Sequence, residues 1–143
     1  MSQDFYLGNP NLKKVGTEIQ FTKEQIQEYL RCKEDPVYFA MNYIKIISLD
    51  EGIVPFKMWD FQQELIESFH ENRFNIAKLP RQTGKSTTCV SYLLHYILFN
   101  DNVNVGILAN KLSTARDLLG RLQLAYEQLP LWIQQGIVVY NKG

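Results

Sequence analysis

The chain of 143 residues holds two cysteines, Cys32 and Cys89, too few and too far apart for a disulfide framework or a thiolate metal site. Both are expected as reduced core or near-core thiols. The two histidines, His70 and His95, stand alone in the sequence and are expected in structural roles rather than as a ligand pair. Lys plus Arg and Asp plus Glu each number 15, so the formal charge is zero and no chain-wide basic field exists to hold nucleic acid. Any DNA contact has to be local or supplied from elsewhere. No apolar run reaches the roughly 20 residues that cross a bilayer, and the polar start Met1-Ser2-Gln3-Asp4 is not a secretion signal. A cytoplasmic, non-membrane protein is expected. No internal repeat or low-complexity tract occurs. The last absence is chemical: no apolar strand ends in Asp-Glu. Leu49-Asp50-Glu51 runs into Gly52, and Glu127 falls in a helical stretch. A hydrolytic nucleotide site uses such carboxylates to hold hydrated Mg²⁺ and to orient the attacking water.

What is present is ordinary for a folded domain: 45% hydrophobic, 21% charged and 13% aromatic residues, which exclude a disordered chain. The length suffices for one domain with a real core but is short for a complete nucleotide-driven motor.

The most informative segment is Leu79-Pro80-Arg81-Gln82-Thr83-Gly84-Lys85-Ser86-Thr87. Triphosphate binding needs converging backbone N–H groups, a flexible cation that reaches the terminal phosphates and a hydroxyl for Mg²⁺. Gly84, Lys85 and Ser86 are the residue types for these three tasks. Upstream, Phe74 to Leu79 alternates as a short strand; downstream, Val90, Leu93, Leu94, Ile97 and Leu98 share one helical face over 87–98. Strand, tight loop and helix N-terminus thus follow in the order of a Walker A motif. The loop departs from the standard pattern, which has glycine where this chain has Leu79.

Elsewhere, residues 1–20 read as a loosely ordered lead punctuated by Gly8, Pro10 and Gly16. Thr22 with Gln25 forms a capping-box pattern ahead of a short amphipathic helix, and Asp35-Pro36 opens a second with Pro36 at its first position. Residues 48–57 read as a loop, and Trp59 to Phe69 as a third helix. Beyond the phosphate loop, 104–109 and 137–140 read as buried strands separated by a helix over 113–128. This alternation predicts an α/β protein: a P-loop-type parallel sheet with flanking helices, incomplete in this chain and preceded by a small helical subregion. The expected division is an N-terminal lead and helical part, 1–57, and the front part of a P-loop ATPase domain, 58–143.

Four stretches together, Asp60-Phe61-Gln62-Gln63, the loop 79–87, Val105-Gly106-Ile107-Leu108-Ala109-Asn110-Lys111, and Gly136-Ile137-Val138 with Asn141-Lys142-Gly143, resemble the N-terminal ATPase domain of the large terminase subunit of T4-like tailed bacteriophages. The resemblance covers about residues 35–143. It accommodates the missing glycine, because that family's deviant loop carries Arg-Gln-x-Gly-Lys-Ser/Thr. It implies the ATP-binding part of a motor that drives double-stranded DNA into a capsid in the cytoplasm of the infected bacterium. The implied cofactors are ATP and Mg²⁺; the implied partners are the portal protein, the small terminase subunit and the DNA. The full-length family oligomerises on the portal and carries a nuclease in a second domain, whereas this chain alone is expected to be monomeric.

By the same resemblance, Lys85 neutralises the β- and γ-phosphates and Ser86, ahead of Thr87, ligates Mg²⁺. Arg81 matches the loop arginine thought to act as a finger on the γ-phosphate; the alternative is a guanidinium paired with a carboxylate across the loop. Gln62 matches the adenine-reading glutamine, with Phe61 near the base or simply in the core. Gln82, Thr83 and Gly84 complete the phosphate cradle. The family's acidic strand, coupling motif and nuclease are not found in this sequence, so the expected state is an ATPase portion that binds ATP–Mg²⁺ weakly or not at all and turns it over negligibly, whether by truncation, gene splitting or choice of the expressed segment. Two other classes stay open: a helicase-like ATPase, and a non-enzymatic nucleotide-dependent decoy that competes for the motor's place.

Overall fold

A computed structural model describes residues 4–48 and 50–140. The fold is α/β, with five α-helices and one two-stranded antiparallel sheet among the described residues. Helix α1, Lys23–Glu34, starts where the sequence places its cap. Thr22 Oγ1 accepts from the Gln25 N–H at 3.2 Å, and Gln25 Oε1 accepts from the Thr22 N–H at 3.0 Å. Helix α2, Pro36–Tyr43, is capped by Asp35, whose Oδ1 accepts from the Tyr38 N–H at 2.8 Å. Each such cap contributes about 1 kcal/mol by satisfying a donor that the helix itself leaves free.

The next two elements differ from the sequence reading. A hairpin straddles the start of the expected loop 48–57: β1 (Lys45–Ser48), ahead of it but for Ser48, pairs with β2 (Gly52–Pro55), within it, with Ile46 opposite Val54. Gly52, at φ 74°, closes it in a conformation disfavoured for other residues. Alternation of Lys45-Ile46-Ile47-Ser48 is too short to separate from loop by period alone. The third helix, α3, is Asp60–Glu71; the helix after the phosphate loop, α4, is Lys85–Phe99; and α5 is Leu112–Glu127, each within two residues of its expected span.

Among the described residues the expected parallel sheet is not formed. Residues 74–80 and 103–109 run without ladder partners, and Phe74, Ile76 and Leu108 are exposed. Val103, Val105 and Ile107 are half-buried while Asn104, Gly106 and Leu108 face outward, so the period-two pattern is present without a neighbouring strand to pair with. Ile137 makes one parallel bridge, to Lys14, rather than joining a sheet with 104–109.

The lead segment, expected to be loose, packs against the far end of the chain. Val15 donates to the Ile137 carbonyl at 3.0 Å and Ile137 to that of Lys13 at 2.9 Å. Buried Gln134 fixes the same junction: its Oε1 accepts from the Lys13 N–H, and its Nε2 donates to the carbonyls of Asn11 and Leu129. Gly136 is required here, since a Cβ would collide with the Val15 backbone.

The core gathers Phe39 and Ala40 from α2, Ile66 from α3, Leu94, Leu98 and Phe99 from α4, and Ile133 beyond α5. Phe39 and Phe99 meet edge to face at 5.5 Å, and His95 tilts onto Phe99 at 4.8 Å. Cys32 lies fully buried in this core and Cys89 is half-buried; both are free thiols, as expected. Helix α4, central to the packing, is thereby held rigidly with its N-terminus at the surface.

Candidate functional site

The loop between residue 80 and α4 curls on itself. The Pro80 carbonyl accepts from Thr83 Oγ1 and from Lys85 Nζ, each at 3.1 Å. Gln82, at φ 61°, and Gly84, at φ 71°, take left-handed conformations that turn the chain into the helix. Gly84 is the N-cap of α4, and its carbonyl accepts from both the backbone N–H and Oγ1 of buried Thr88. The N–H groups of Lys85, Ser86 and Thr87, the first helical residues, have no intrahelical acceptors and carry the positive end of the helix dipole.

Gly84 is constrained twice. Besides its φ, a Cβ at this position would lie 2.6 Å from Nε2 of Gln62. That side chain comes from the first turn of α3 and is buried. Its Oε1 accepts from the Trp59 N–H at 3.0 Å, the reciprocal half of a capping box, and its Nε2 donates to the Thr83 carbonyl at 3.1 Å. Gln62 therefore fastens the start of α3 to the loop.

The structure thus brings Gln62, Thr83, Gly84 and Lys85 together. Arg81 and Gln82 lie exposed on the outer side of the curl, and Ser86 and Thr87 are half-buried in the first turn of α4. Among the described residues Arg81 has no carboxylate partner, so the across-the-loop ion pair is not formed. Phe61 is half-buried and tilts against exposed Trp59 at 5.7 Å, leaving an aromatic pair at the solvent-facing start of α3. Trp59 was not singled out by the motif; its neighbour Phe61 was.

Among the described residues no carboxylate hydrogen-bonds or ion-pairs with the loop. Asp50 and Glu51 sit in the β1–β2 turn, and Glu127 accepts from the Tyr140 hydroxyl at 2.6 Å. No cluster of three or more His, Cys, Asp or Glu side chains suited to a metal occurs among the described residues. His95 is structural, as expected. Its Nε2 hydrogen-bonds the Cys32 carbonyl at 2.8 Å, which requires the proton on that nitrogen, and Nδ1 has no partner. Burial holds its pKa below the usual imidazole value. The terminal Asn141-Lys142-Gly143 of the resemblance lies outside the described residues.

Chemically, the loop offers oriented backbone donors, one mobile ammonium and two hydroxyls, a set suited to an anion with several oxygens. No protein-family model matches the chain. No helix among the described residues is long and apolar enough to cross a membrane.

Proposed function

We propose that the chain is the ATP-binding portion of a viral large terminase, the motor that packages double-stranded DNA, with the parallel P-loop sheet left incomplete. The observation that carries this reading is the loop itself. A Gly-Lys-Ser-Thr run meets a left-handed glycine N-cap, with free N–H groups at Lys85, Ser86 and Thr87 and the Lys85 ammonium resting on the Pro80 carbonyl. That contact is a weak neutral acceptor for an ammonium, and phosphate oxygens are stronger ones.

The residues fit ATP–Mg²⁺ at the phosphate end: the N–H groups and Lys85 would hold the phosphates, and the Ser86 hydroxyl would ligand the metal. Bound Mg²⁺ supplies charge neutralisation between the phosphates. Arg81, exposed and unpaired among the described residues, keeps the freedom a transition-state finger needs. The Trp59–Phe61 pair supplies an apolar face near the loop for a base. By resemblance, the portal protein, small terminase subunit and DNA are the partners, reached in the infected cell's cytoplasm. Because no acidic strand is found in this sequence, this chain is expected to bind nucleotide only weakly and without appreciable turnover.

The reading is tested by titrating ¹⁵N-labelled protein with ATP–Mg²⁺ at millimolar concentrations and following the amides of Gly84 to Thr87. Saturable shifts confined to the loop and the start of α3, absent with AMP, support it. An undisturbed loop contradicts it.

A further inference from the structure

A cleft of about 280 Å³ lies between β1, α4 and α5, outside the phosphate loop's curl. Its floor is largely apolar: Ile44, Val90 and Ala125 are buried, beside buried Ser91, whose hydroxyl donates to the Thr87 carbonyl. Its lining also includes Lys45, Arg121 and Thr87, with no Asp or Glu among the lining residues. Lys45 and Arg121 have no ion-pair partner among the described residues, and the Thr87 side chain has no hydrogen bond, its carbonyl alone being used by Ser91 Oγ. Two cationic residues without ion-pair partners among the described residues, one from β1 and one from α5, thus line one small cleft.

We propose that this cleft binds a small apolar carboxylate. The apolar floor takes the hydrocarbon part, and the two cations at the rim take the acid, for which the planar guanidinium fork is geometrically suited. The volume, at the small end of ligand cavities (roughly 300–1,000 Å³), limits the ligand to a short branched or cyclic acid. A bare anion is excluded as a good ligand because it leaves the apolar floor wet. Thr87 is a member both of this cleft and of the first turn of the phosphate-loop helix, so an occupant here would meet that turn. The proposal stands without the nucleotide reading, because its cationic residues Lys45 and Arg121 and its reporters Val90 and Ala125 have no part in the phosphate loop.

The test uses 4-methylpentanoate as probe and the methyl resonances of Val90 and Ala125 as reporters on the intact protein. Saturable shifts are expected with the acid, at least about tenfold weaker in Arg121→Ala and in Lys45→Ala, as fits loss of one charge-assisted contact. Both residues are exposed, so unchanged amide spectra elsewhere establish that the variants fold. The uncharged analogue 4-methylpentanol and inorganic phosphate are expected to leave both methyls unshifted. No saturable shift with the acid, equal shifts with the alcohol, equal shifts with phosphate, or undiminished binding in both variants would each overturn the proposal.

Discussion

The Gln62 amide donates to the Thr83 carbonyl at 3.1 Å while its oxygen receives the Trp59 N–H at 3.0 Å, so one buried side chain ties the start of α3 to the phosphate loop. The glutamine that matches an adenine-reading motif has a structural task in this protein. One further N–H and one lone pair stay available on the amide, so base contact and loop positioning are compatible.

Replacing Gln62 by Ala is predicted to lower stability by about 1–3 kcal/mol, because two part-buried backbone groups lose their partners. It is also predicted to broaden the amide signals of Thr83 and Gly84. Thermal unfolding and amide spectra check both. Nucleotide titration separates the two tasks: equal weakening of ATP and GTP marks loop positioning, and a selective loss of ATP marks base reading.

Gly84→Ala is predicted to be worse than a surface Gly→Ala change. The new Cβ would meet Gln62 Nε2 at 2.6 Å in a left-handed backbone, so the clamp has to shift. Left-handed strain alone costs about 1–2 kcal/mol. Denaturant unfolding of Gly84→Ala beside Gly120→Ala, at an exposed position of α5 where a Cβ meets nothing within 4 Å, gives the contrast. A destabilisation at position 84 no larger than at position 120 would refute the clamp geometry.

His95 makes stability pH-dependent in a defined direction. It is packed by Phe39, Tyr92, Phe99 and His70, and desolvation lowers its pKa from 6.5, ahead of the opposing hydrogen bond to Cys32. The unfolded chain therefore binds a proton at higher pH than the folded one does. The neutral ring's stabilisation is complete above 6.5 and is lost as pH falls through 6.5 toward the lower folded value. Melting measured from about pH 7 to about pH 5 is expected to show a steeper acid loss in the native protein than in His95→Phe. Parallel pH profiles would refute this.

Burial also pushes the Cys32 thiol up to about 12, so its thiolate is scarce at neutral pH. Mass spectrometry after brief alkylation is predicted to find Cys32 unmodified in the folded protein and modified once the protein is unfolded. Modification of the folded protein at Cys32 would show that α1 opens readily.

The helices were legible because their signals are local: the Thr22–Gln25 box, Pro36 after Asp35, and the apolar stripe of α4 each act over a few residues. The hairpin was not, since four-residue strands carry too little periodicity, and its pairing is a tertiary fact. The expected strands at 74–79 and 104–109 show the converse limit, in which pattern is present and a paired neighbour is not. At the site, residue types for phosphate binding were readable from Gly84-Lys85-Ser86. The Gln62 clamp was not, because its two bonds depend on how α3 approaches the loop across 21 residues of sequence.

The two loop cations are predicted to separate in a hydrolytically complete protein. Arg81→Ala is expected to lower kcat by about 10³-fold or more, with the Kd for ATP changed less than about tenfold, since a finger acts on charge that develops in the transition state. Single-turnover hydrolysis and equilibrium binding check this. Binding lost in proportion to rate, or full activity in Arg81→Lys, would make Arg81 a loop-positioning residue.

The central claim is that residues 80–87 form a nucleotide-phosphate loop, and the most direct measurement is ATP–Mg²⁺ binding by this chain and by Lys85→Ala, followed at the amides of Gly84 to Thr87. Lys85 meets phosphate in the ground state, so the account predicts saturable shifts at millimolar ATP in the native protein and their loss in the variant, with the fold intact. Loop amides that do not respond to ATP, or that respond equally without the Lys85 ammonium, would contradict it.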